Sequence, residues 1–150
     1  MPARPNILFV MTDQQRFDTI AALGQALIYT PNLDRLVRRG VAFTNAYSSC
    51  PVCLPARYTI RTGREPLTTG IYQNAHPHLA EGQPQGMEER CGPYLARLLA
   101  RQGYRTFGIG KFHTLPWNEE LGFETQIHGQ EMYGSVKIRK QDGYASFIAN

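Results

Sequence analysis

The sequence predicts an α/β protein with a largely parallel sheet flanked by helices. Apolar segments alternate along it with segments whose apolar residues recur at helical spacing, and proline or glycine marks most of the boundaries. Its 150 residues are the length of one ordinary domain. The hydrophobic fraction of 42% and the charged fraction of 19% exclude a disordered or collagen-like chain. We therefore expect a single domain.

Two strands and a helix are predicted in the first third of the chain. Residues 6–12 form a short, nearly all-apolar run, which is typical of a strand buried on both faces of a parallel sheet. A helix is predicted over residues 31–40, because Thr30 can cap it and Pro31 suits its first turn. Residues 41–47 alternate apolar and polar side chains, which indicates a second strand.

Two further helices, a strand and a loop are predicted after that. Residues 55–61 form a short helix that Gly63 closes, and residues 93–102 form another with leucines at helical spacing. Residues 105–109 are predicted as a third strand. Residues 64–92 have no clear period, which indicates a long loop.

Charged residues follow two of the predicted strands directly. Asp13 comes after the first strand, and Lys111 comes after the third. Ligands of parallel sheets bind beyond the carboxyl ends of the strands, so we expect both residues at one edge of the sheet. The long loop would line that edge. Its Asn74, His76 and His78 either line a pocket or belong to a solvated loop.

Charge and hydropathy exclude several classes of function. The net charge of +4 is scattered along the chain without a basic block, so no nucleic-acid partner is expected. The longest apolar run, residues 7–11, is too short to cross a bilayer, so no membrane partner is expected. A charged segment followed by an apolar core and a cleavage site is not visible at the amino terminus, and we expect a cytoplasmic protein.

Cys50 and Cys53 form a C-x-x-C pair that allows three interpretations. A redox pair is the first, although the chain carries several polar groups unrelated to thiol exchange. A zinc site is the second, but Cys91 and four scattered histidines do not supply two more ligands at a recognisable spacing. Buried structural cysteines are the third. The odd count of three cysteines argues against a full disulfide framework.

A longer motif surrounds the second of these cysteines. Residues 53–64 read Cys-Leu-Pro-Ala-Arg-Tyr-Thr-Ile-Arg-Thr-Gly-Arg and resemble the type I sulfatase signature, C-x-P-[S/A]-R followed by T-G-R. Other blocks resemble the family in the same order, from its opening strand and metal-binding turn to the strand that delivers an active-site Lys and His: residues 5–16, 30–36, 40–47 and 103–113. The resemblance implies an alkaline-phosphatase-like sandwich and a sulfuric ester hydrolase.

The resemblance also implies which residues carry the chemistry. In the family, a formylglycine-generating enzyme oxidises the signature cysteine, here Cys53, to Cα-formylglycine. One hydroxyl of its hydrate attacks sulfur and displaces the alcohol. The other then loses its proton, so that the carbonyl re-forms and sulfate leaves. By resemblance, Arg57 holds the formylglycine, Lys111 contacts the sulfate, and His113 orients the hydrate and helps to move its proton.

A divalent metal ion is implied as well. Asp13, Gln14 and the modified Cys53 would bind it, and their oxygen donors suit Ca²⁺, with Mg²⁺ or Mn²⁺ as alternatives. Many family members have two adjacent acids where this chain has Asp13-Gln14, so the site has one negative charge less. The substrate implied is a small-molecule or saccharide sulfate ester.

Two alternatives remain open. The Asp-Gln turn and the C-x-P-A-R form also occur in related phosphonate monoester and phosphodiester hydrolases, although Lys111 and His113 favour a sulfatase. Family members are well over twice as long, so residues 1–150 are expected to be the amino-terminal part of the catalytic domain, with the carboxyl-terminal remainder and its metal ligands absent. An inactive, truncated homologue is the second alternative. Such a piece would expose an apolar face.

Overall fold

Two compact units follow one another along the chain, residues 1–47 and residues 48–150. In the computed structural model, residues 4–25, 27–74, 87–114, 116–129 and 143 are described. In this described part, none of the helices has the length and apolar character needed to cross a bilayer.

The helix predicted in the first unit is confirmed. Helix α1 spans Pro31–Arg39, with the proline at its first position, and the amide of Gly40 donates to the carbonyl of Leu36 at 2.9 Å. The proline ring fixes a φ that suits a helix and lacks the N–H that a first turn cannot pair. A short 3-10 helix, Ala21–Leu23, precedes α1.

The prediction that Thr30 caps α1 is wrong, because its side chain makes no capping hydrogen bond. Its hydroxyl instead accepts a hydrogen bond from the amide of Ala21 at 2.8 Å and donates one to the carboxylate of Asp34 at 2.8 Å. The same carboxylate accepts the amide of Ala22 at 3.0 Å. Thr30 and Asp34 therefore join the start of α1 to the 3-10 helix.

Both strand predictions for this unit are wrong. Residues 6–12 and 41–47 run without strand pairing, and their apolar side chains are exposed, with Leu8 at 89% and Phe43 at 81%. An extended segment becomes a strand only when a neighbouring strand pairs with its backbone, and the described residues of this unit offer none. The apolar pattern therefore marks side chains that suit burial but that are exposed in the described part of the chain.

The second unit contains most of the regular structure. Its described elements are α2 (Cys53–Thr62), α3 (Pro66–Thr69), α4 (Met87–Cys91), α5 (Leu95–Arg101), β1 (Phe107–Gly110) and β2 (Thr125–His128). Helix α2 begins at Cys53 rather than at residue 55, and Gly63, with a left-handed φ of 65°, ends it as predicted. Helix α5 and strand β1 confirm two further predicted elements. The predicted loop over 64–92 is wrong in part, because it contains α3 and α4.

The sheet is parallel, as predicted, and pairs β1 with β2. Phe107 lies opposite Thr125, and Gly110 lies opposite His128. Strand β2 was not predicted. Its sequence, Thr-Gln-Ile-His, is short and mostly polar, so its pairing partner identifies it better than its composition does.

Helix α2 is packed into the core of this unit. Leu54 and Tyr58 of α2 have no exposed surface. The apolar cluster around them contains Leu54, Tyr58, Ile71, Met87, Cys91, Tyr94, Phe112 and Leu121. The inner face of α2 is therefore fixed by side chains from five other parts of the unit, and the position of its amino end follows from that packing.

A buried carboxylate lies within the core. Glu119 is 7% exposed and accepts hydrogen bonds from the hydroxyl of Tyr58 at 2.6 Å, the hydroxyl of Tyr94 and the amide of Met87 at 3.1 Å. Burial and the hydrogen bond to Glu119 raise the pKa of Tyr94, which keeps its hydroxyl a donor. The carboxylate thus links α2 to α4 and to the residue that precedes α5.

Candidate active site

The amino end of α2 presents Cys53. This cysteine is the first residue of the ten-residue helix, is partly exposed and carries a free thiol. The next amide, that of Leu54, donates to the side-chain carbonyl of Asn74 at 3.0 Å, and Pro55 has no amide hydrogen. The partial positive charge at this end of the helix favours an anion near Cys53. Asn74, which the sequence left as a pocket or loop residue, helps to hold this end.

The other two cysteines have different surroundings. The thiol of Cys50 lies 3.6 Å from the carbonyl of Tyr72, and Cys91 is buried in the core. Burial raises the pKa of the Cys91 thiol, which favours its protonated, unreactive form. Within the described residues, no group of three or more His, Cys, Asp or Glu side chains could hold a metal ion. The zinc interpretation of the cysteine pair therefore has no support there.

Arg57 joins α2 to the segment after β1. Its side chain is 6% exposed, and its Nη1 donates a hydrogen bond to the backbone carbonyl of Lys111. Lys111 directly follows Gly110, whose φ of 111° is available to few residues other than glycine and lets the chain turn away from the strand. Two residues predicted from separate motifs are thus brought into direct contact.

Arg61 contacts the same segment and was not predicted as a site residue. It lies one turn beyond Arg57, and its Nη2 donates to the backbone carbonyl of Phe112. Its guanidinium also lies over the ring of Tyr58, 5.5 Å from the ring centre. Burial lowers the pKa of Arg61 to about 10, and the positive charge of Arg57 also lowers it. The spacing of four residues between the two arginines was the signal available in the sequence.

His113 has an unusual backbone conformation. Its φ is 50°, and Gln14 has a φ of 54°; they are the non-glycine residues with positive φ in the described part of the chain. Both were predicted site residues. A left-handed conformation costs a side-chain-bearing residue about 1–2 kcal/mol, and such outliers concentrate at functional sites. The backbone therefore supports a functional role for both positions.

The predicted site residues fall into two groups. Cys53, Arg57, Lys111 and His113 belong to the second unit, where the contact between Arg57 and Lys111 connects their two segments. Asp13 and Gln14 belong to the first unit, on an exposed bend after residue 12. His76 and His78 lie outside the described residues.

These features define an α/β protein whose candidate site combines the amino end of a helix with the segment that follows a parallel strand. The crystal structure of a protein assigned as a sulfatase from Bacteroides thetaiotaomicron matches 83% of this chain with a TM-score of 0.62 and 27% sequence identity. That likeness confirms the predicted class, the alkaline-phosphatase-like α/β fold. The family model for sulfatases matches residues 5–148. The chain belongs to the sulfatase family.

Several proteins named as sulfatases are similar in sequence. The chain is 38% identical to an ulvan-active sulfatase of Formosa agariphila over 112 residues, which are 75% of this chain and 20% of that protein. It is 32% identical to an arylsulfatase of Clostridium perfringens over 147 residues, 98% of this chain and 26% of that protein. It is 35% identical to human N-acetylgalactosamine-6-sulfatase over 130 residues, 85% of this chain and 24% of that protein. The chain thus spans about a quarter of the length of these relatives.

Proposed function

We propose that the protein hydrolyses sulfate monoesters and that Cys53, converted to Cα-formylglycine, provides the nucleophile. The observation that carries this proposal is the hydrogen bond from Arg57 to the carbonyl of Lys111. It links the helix that begins at the cysteine to the segment that carries a lysine and a histidine. Membership of the sulfatase family supports the reaction class.

Different residues of the site bind the substrate and transfer the proton. The amino end of α2 and the guanidinium of Arg57 provide positive charge for the anionic substrate. The ammonium group of Lys111 binds the sulfate oxygens, and the imidazole of His113 holds or moves a proton of the nucleophile. A formylglycine at position 53 supplies a hydrated aldehyde whose hydroxyl is the attacking group.

The metal implied by the family fits the donor chemistry of one turn in the first unit. Asp13 offers a carboxylate and Gln14 an amide oxygen, which are ligands that Ca²⁺ and Mg²⁺ accept. Ca²⁺ takes about six to eight oxygen ligands, so these two side chains supply only part of a complete site. A bound dication would offset the negative charge of the sulfate group.

The names of the relatives support a substrate class. They include an ulvan-active sulfatase, an arylsulfatase and enzymes named for the 6-sulfates of N-acetylgalactosamine and N-acetylglucosamine. We propose a sulfated saccharide or another small sulfate monoester as substrate and a formylglycine-generating enzyme as maturation partner.

Gln14 favours a second candidate function. Its neutral amide stands where many sulfatases have a second acid, and the Asp-Gln turn is shared with phosphonate monoester and phosphodiester hydrolases. We propose phosphonate monoester or phosphodiester hydrolysis as the alternative activity.

Paired activity assays test the two candidates. The full protein, matured in the presence of a formylglycine-generating enzyme, is assayed with an aryl sulfate and with an aryl phosphodiester. We expect faster turnover of the sulfate, loss of turnover in Cys53→Ala and normal turnover in the matched control Cys50→Ala. Faster turnover of the diester would select the alternative, and no turnover of either ester would contradict both.

A further inference from the structure

We propose that Arg61 is a positioning residue, which acts with Arg57 to hold the Lys111–His113 segment so that the imidazole of His113 faces the nucleophile. This inference rests on the proposed function, because the imidazole needs a fixed orientation only if it serves a reaction. It concerns the second arginine of α2, which lies between the two parts of the signature, C-x-P-[S/A]-R and T-G-R, at a position that neither part specifies.

The two arginines contact consecutive peptide groups. Residues four apart on a helix lie on the same face, so Arg57 and Arg61 both face the chain after β1. Arg57 donates to the carbonyl of Lys111, and Arg61 donates to the carbonyl of Phe112. A pair of charged donors thus fixes the direction of this segment along two successive residues.

The second contact bears directly on His113. The carbonyl of Phe112 and the amide of His113 belong to one planar peptide group. A hydrogen bond that fixes the carbonyl therefore fixes the orientation of this peptide plane, which is one of the two planes that define the φ of His113. That φ is 50°, a conformation that persists in residues with side chains only where the surroundings enforce it. Arg61 supplies such a constraint.

The surroundings of Arg61 hold its guanidinium in place. It lies over the ring of Tyr58, and the hydroxyl of Tyr58 donates to the buried Glu119. The Nη1 of Arg61 is buried, and no hydrogen-bond partner for that atom is found within the described residues. Burial of the unpaired Nη1 is unfavourable, and the hydrogen bond from Nη2 to the carbonyl of Phe112 offsets part of that cost.

The position of Arg61 along α2 separates it from the reaction itself. It lies eight residues after Cys53, which corresponds to about 12 Å along the helix axis at 1.5 Å per residue. A sulfate bound at the amino end of α2 is out of its reach. Its effect must pass through the backbone of Phe112 and His113.

Two loss variants and one conservative variant test the proposal in the full protein. Arg61→Met and Arg61→Gln remove the guanidinium, whereas Arg61→Lys retains a charged donor. Arg101→Met, at an exposed arginine in the last turn of α5, is the matched control. The readouts are the NMR resonance of the His113 imidazole, identified by its loss in His113→Asn, and separate values of kcat and KM with an aryl sulfate. Thermal unfolding identifies variants that fold.

We expect Arg61→Met and Arg61→Gln to shift the His113 resonance and lower kcat about tenfold while KM stays within about twofold, the signature of an interaction that matters in the transition state. Arg61→Lys should recover part of both, and Arg101→Met should change neither. If one loss variant does not fold, the other is judged by the same criteria.

A folded loss variant with an unshifted resonance and normal kcat would overturn the proposal. So would a rise in KM alone, or an equal loss in Arg101→Met. If the wild-type protein cleaves no sulfate ester, the proposed function fails, and the His113 resonance in the variants still decides whether Arg61 sets that side chain.

Discussion

The guanidinium of Arg57 donates a hydrogen bond to the backbone carbonyl of Lys111, 54 residues later in the chain. The contact uses the backbone of Lys111 and not its ammonium group. Arg57 thus does two things for the proposed site, since it contributes charge at the amino end of α2 and sets the course of the segment that carries Lys111 and His113.

Removing either positive charge should slow catalysis strongly. We expect Arg57→Ala and Lys111→Ala in the full protein each to lower kcat/KM for an aryl sulfate at least about a hundredfold, the scale of losing one preorganised electrostatic donor. Arg101→Ala is the control, because its side chain is exposed on α5. A folded Lys111→Ala variant with near-normal kcat/KM would remove Lys111 from the site.

The modification should fall on Cys53 alone. Only this cysteine has proline two positions and arginine four positions downstream. In protein made together with a formylglycine-generating enzyme, peptide mapping should find the mass change for replacing CH₂SH by CHO in the Cys53 peptide. Peptides with Cys50 and Cys91 should keep their thiols. An active preparation with unmodified Cys53 would disprove the nucleophile assignment.

Activity should depend on a divalent metal that Gln14 holds weakly. Chelation should abolish aryl sulfate hydrolysis, and added Ca²⁺, Mg²⁺ or Mn²⁺ should restore it. Gln14→Asp adds a negative charge next to Asp13, so it should lower the Kd for Ca²⁺ in a calorimetric titration, whereas Gln15→Asp should have a smaller effect. Full activity after exhaustive chelation, with no metal found by elemental analysis, would contradict this prediction.

Glu119 should contribute more to stability than its exposed neighbour. Glu119→Gln exchanges an acceptor oxygen for an NH₂ group, so one of the hydroxyls of Tyr58 and Tyr94 loses its acceptor. The cost of a buried polar group left unpaired is about 1–3 kcal/mol, to be measured as a lower free energy of unfolding in urea. Glu120→Gln is the matched control, because Glu120 is exposed. Equal effects of the two substitutions would contradict the role given to the buried carboxylate.

The first unit should lose a stabilising interaction in acid. Hydrogen bonds from the amide of Ala22 and the hydroxyl of Thr30 lower the pKa of Asp34 below its ordinary value of 3.8. A depressed carboxyl pKa stabilises the fold above the unfolded-state value, and that contribution is lost as the pH falls through the lower folded value. The NMR shift of the Ala22 amide should titrate with a midpoint below 3.8 and should not titrate this way in Asp34→Asn. A midpoint at or above 3.8 would contradict the prediction.

Sequence signals predicted elements whose boundaries are set locally. Pro31 and Gly63 act within their own turns, so α1 and the end of α2 were identified from short stretches. Strand β2 and the strand predicted over 6–12 depend on a partner elsewhere in the chain. Strand β2 forms because it pairs with β1. Residues 6–12 have no pairing partner among the described residues of their unit. Composition alone therefore gave the wrong prediction for both segments.

The candidate site likewise contains residues that a local motif predicts and residues that depend on distant parts of the chain. The resemblance to sulfatases predicts Cys53, Arg57, Lys111 and His113 as site residues. Asn74 was named only as a pocket or loop residue, and neither Arg61 nor the buried Glu119 was predicted. Glu119 lies in the polar run Asn-Glu-Glu, which looks solvent-exposed in the sequence. Its burial follows from two tyrosines far away in the chain, and such long-range pairing leaves no local pattern.

The hydrogen bond from Tyr58 to Glu119 joins residues 61 positions apart, and this separation sets an order of events during synthesis on the ribosome. The contacts between Thr30 and its neighbours span at most nine residues and can form early. The hydrogen bond of Tyr58 must wait until Glu119 has left the exit tunnel, because closing a long loop requires both ends. Leu54 and Tyr58 are fully buried once the unit is complete. Until then, the packing of α2 is incomplete, which leaves the stretch around Cys53 more accessible to an enzyme that must read its side chains.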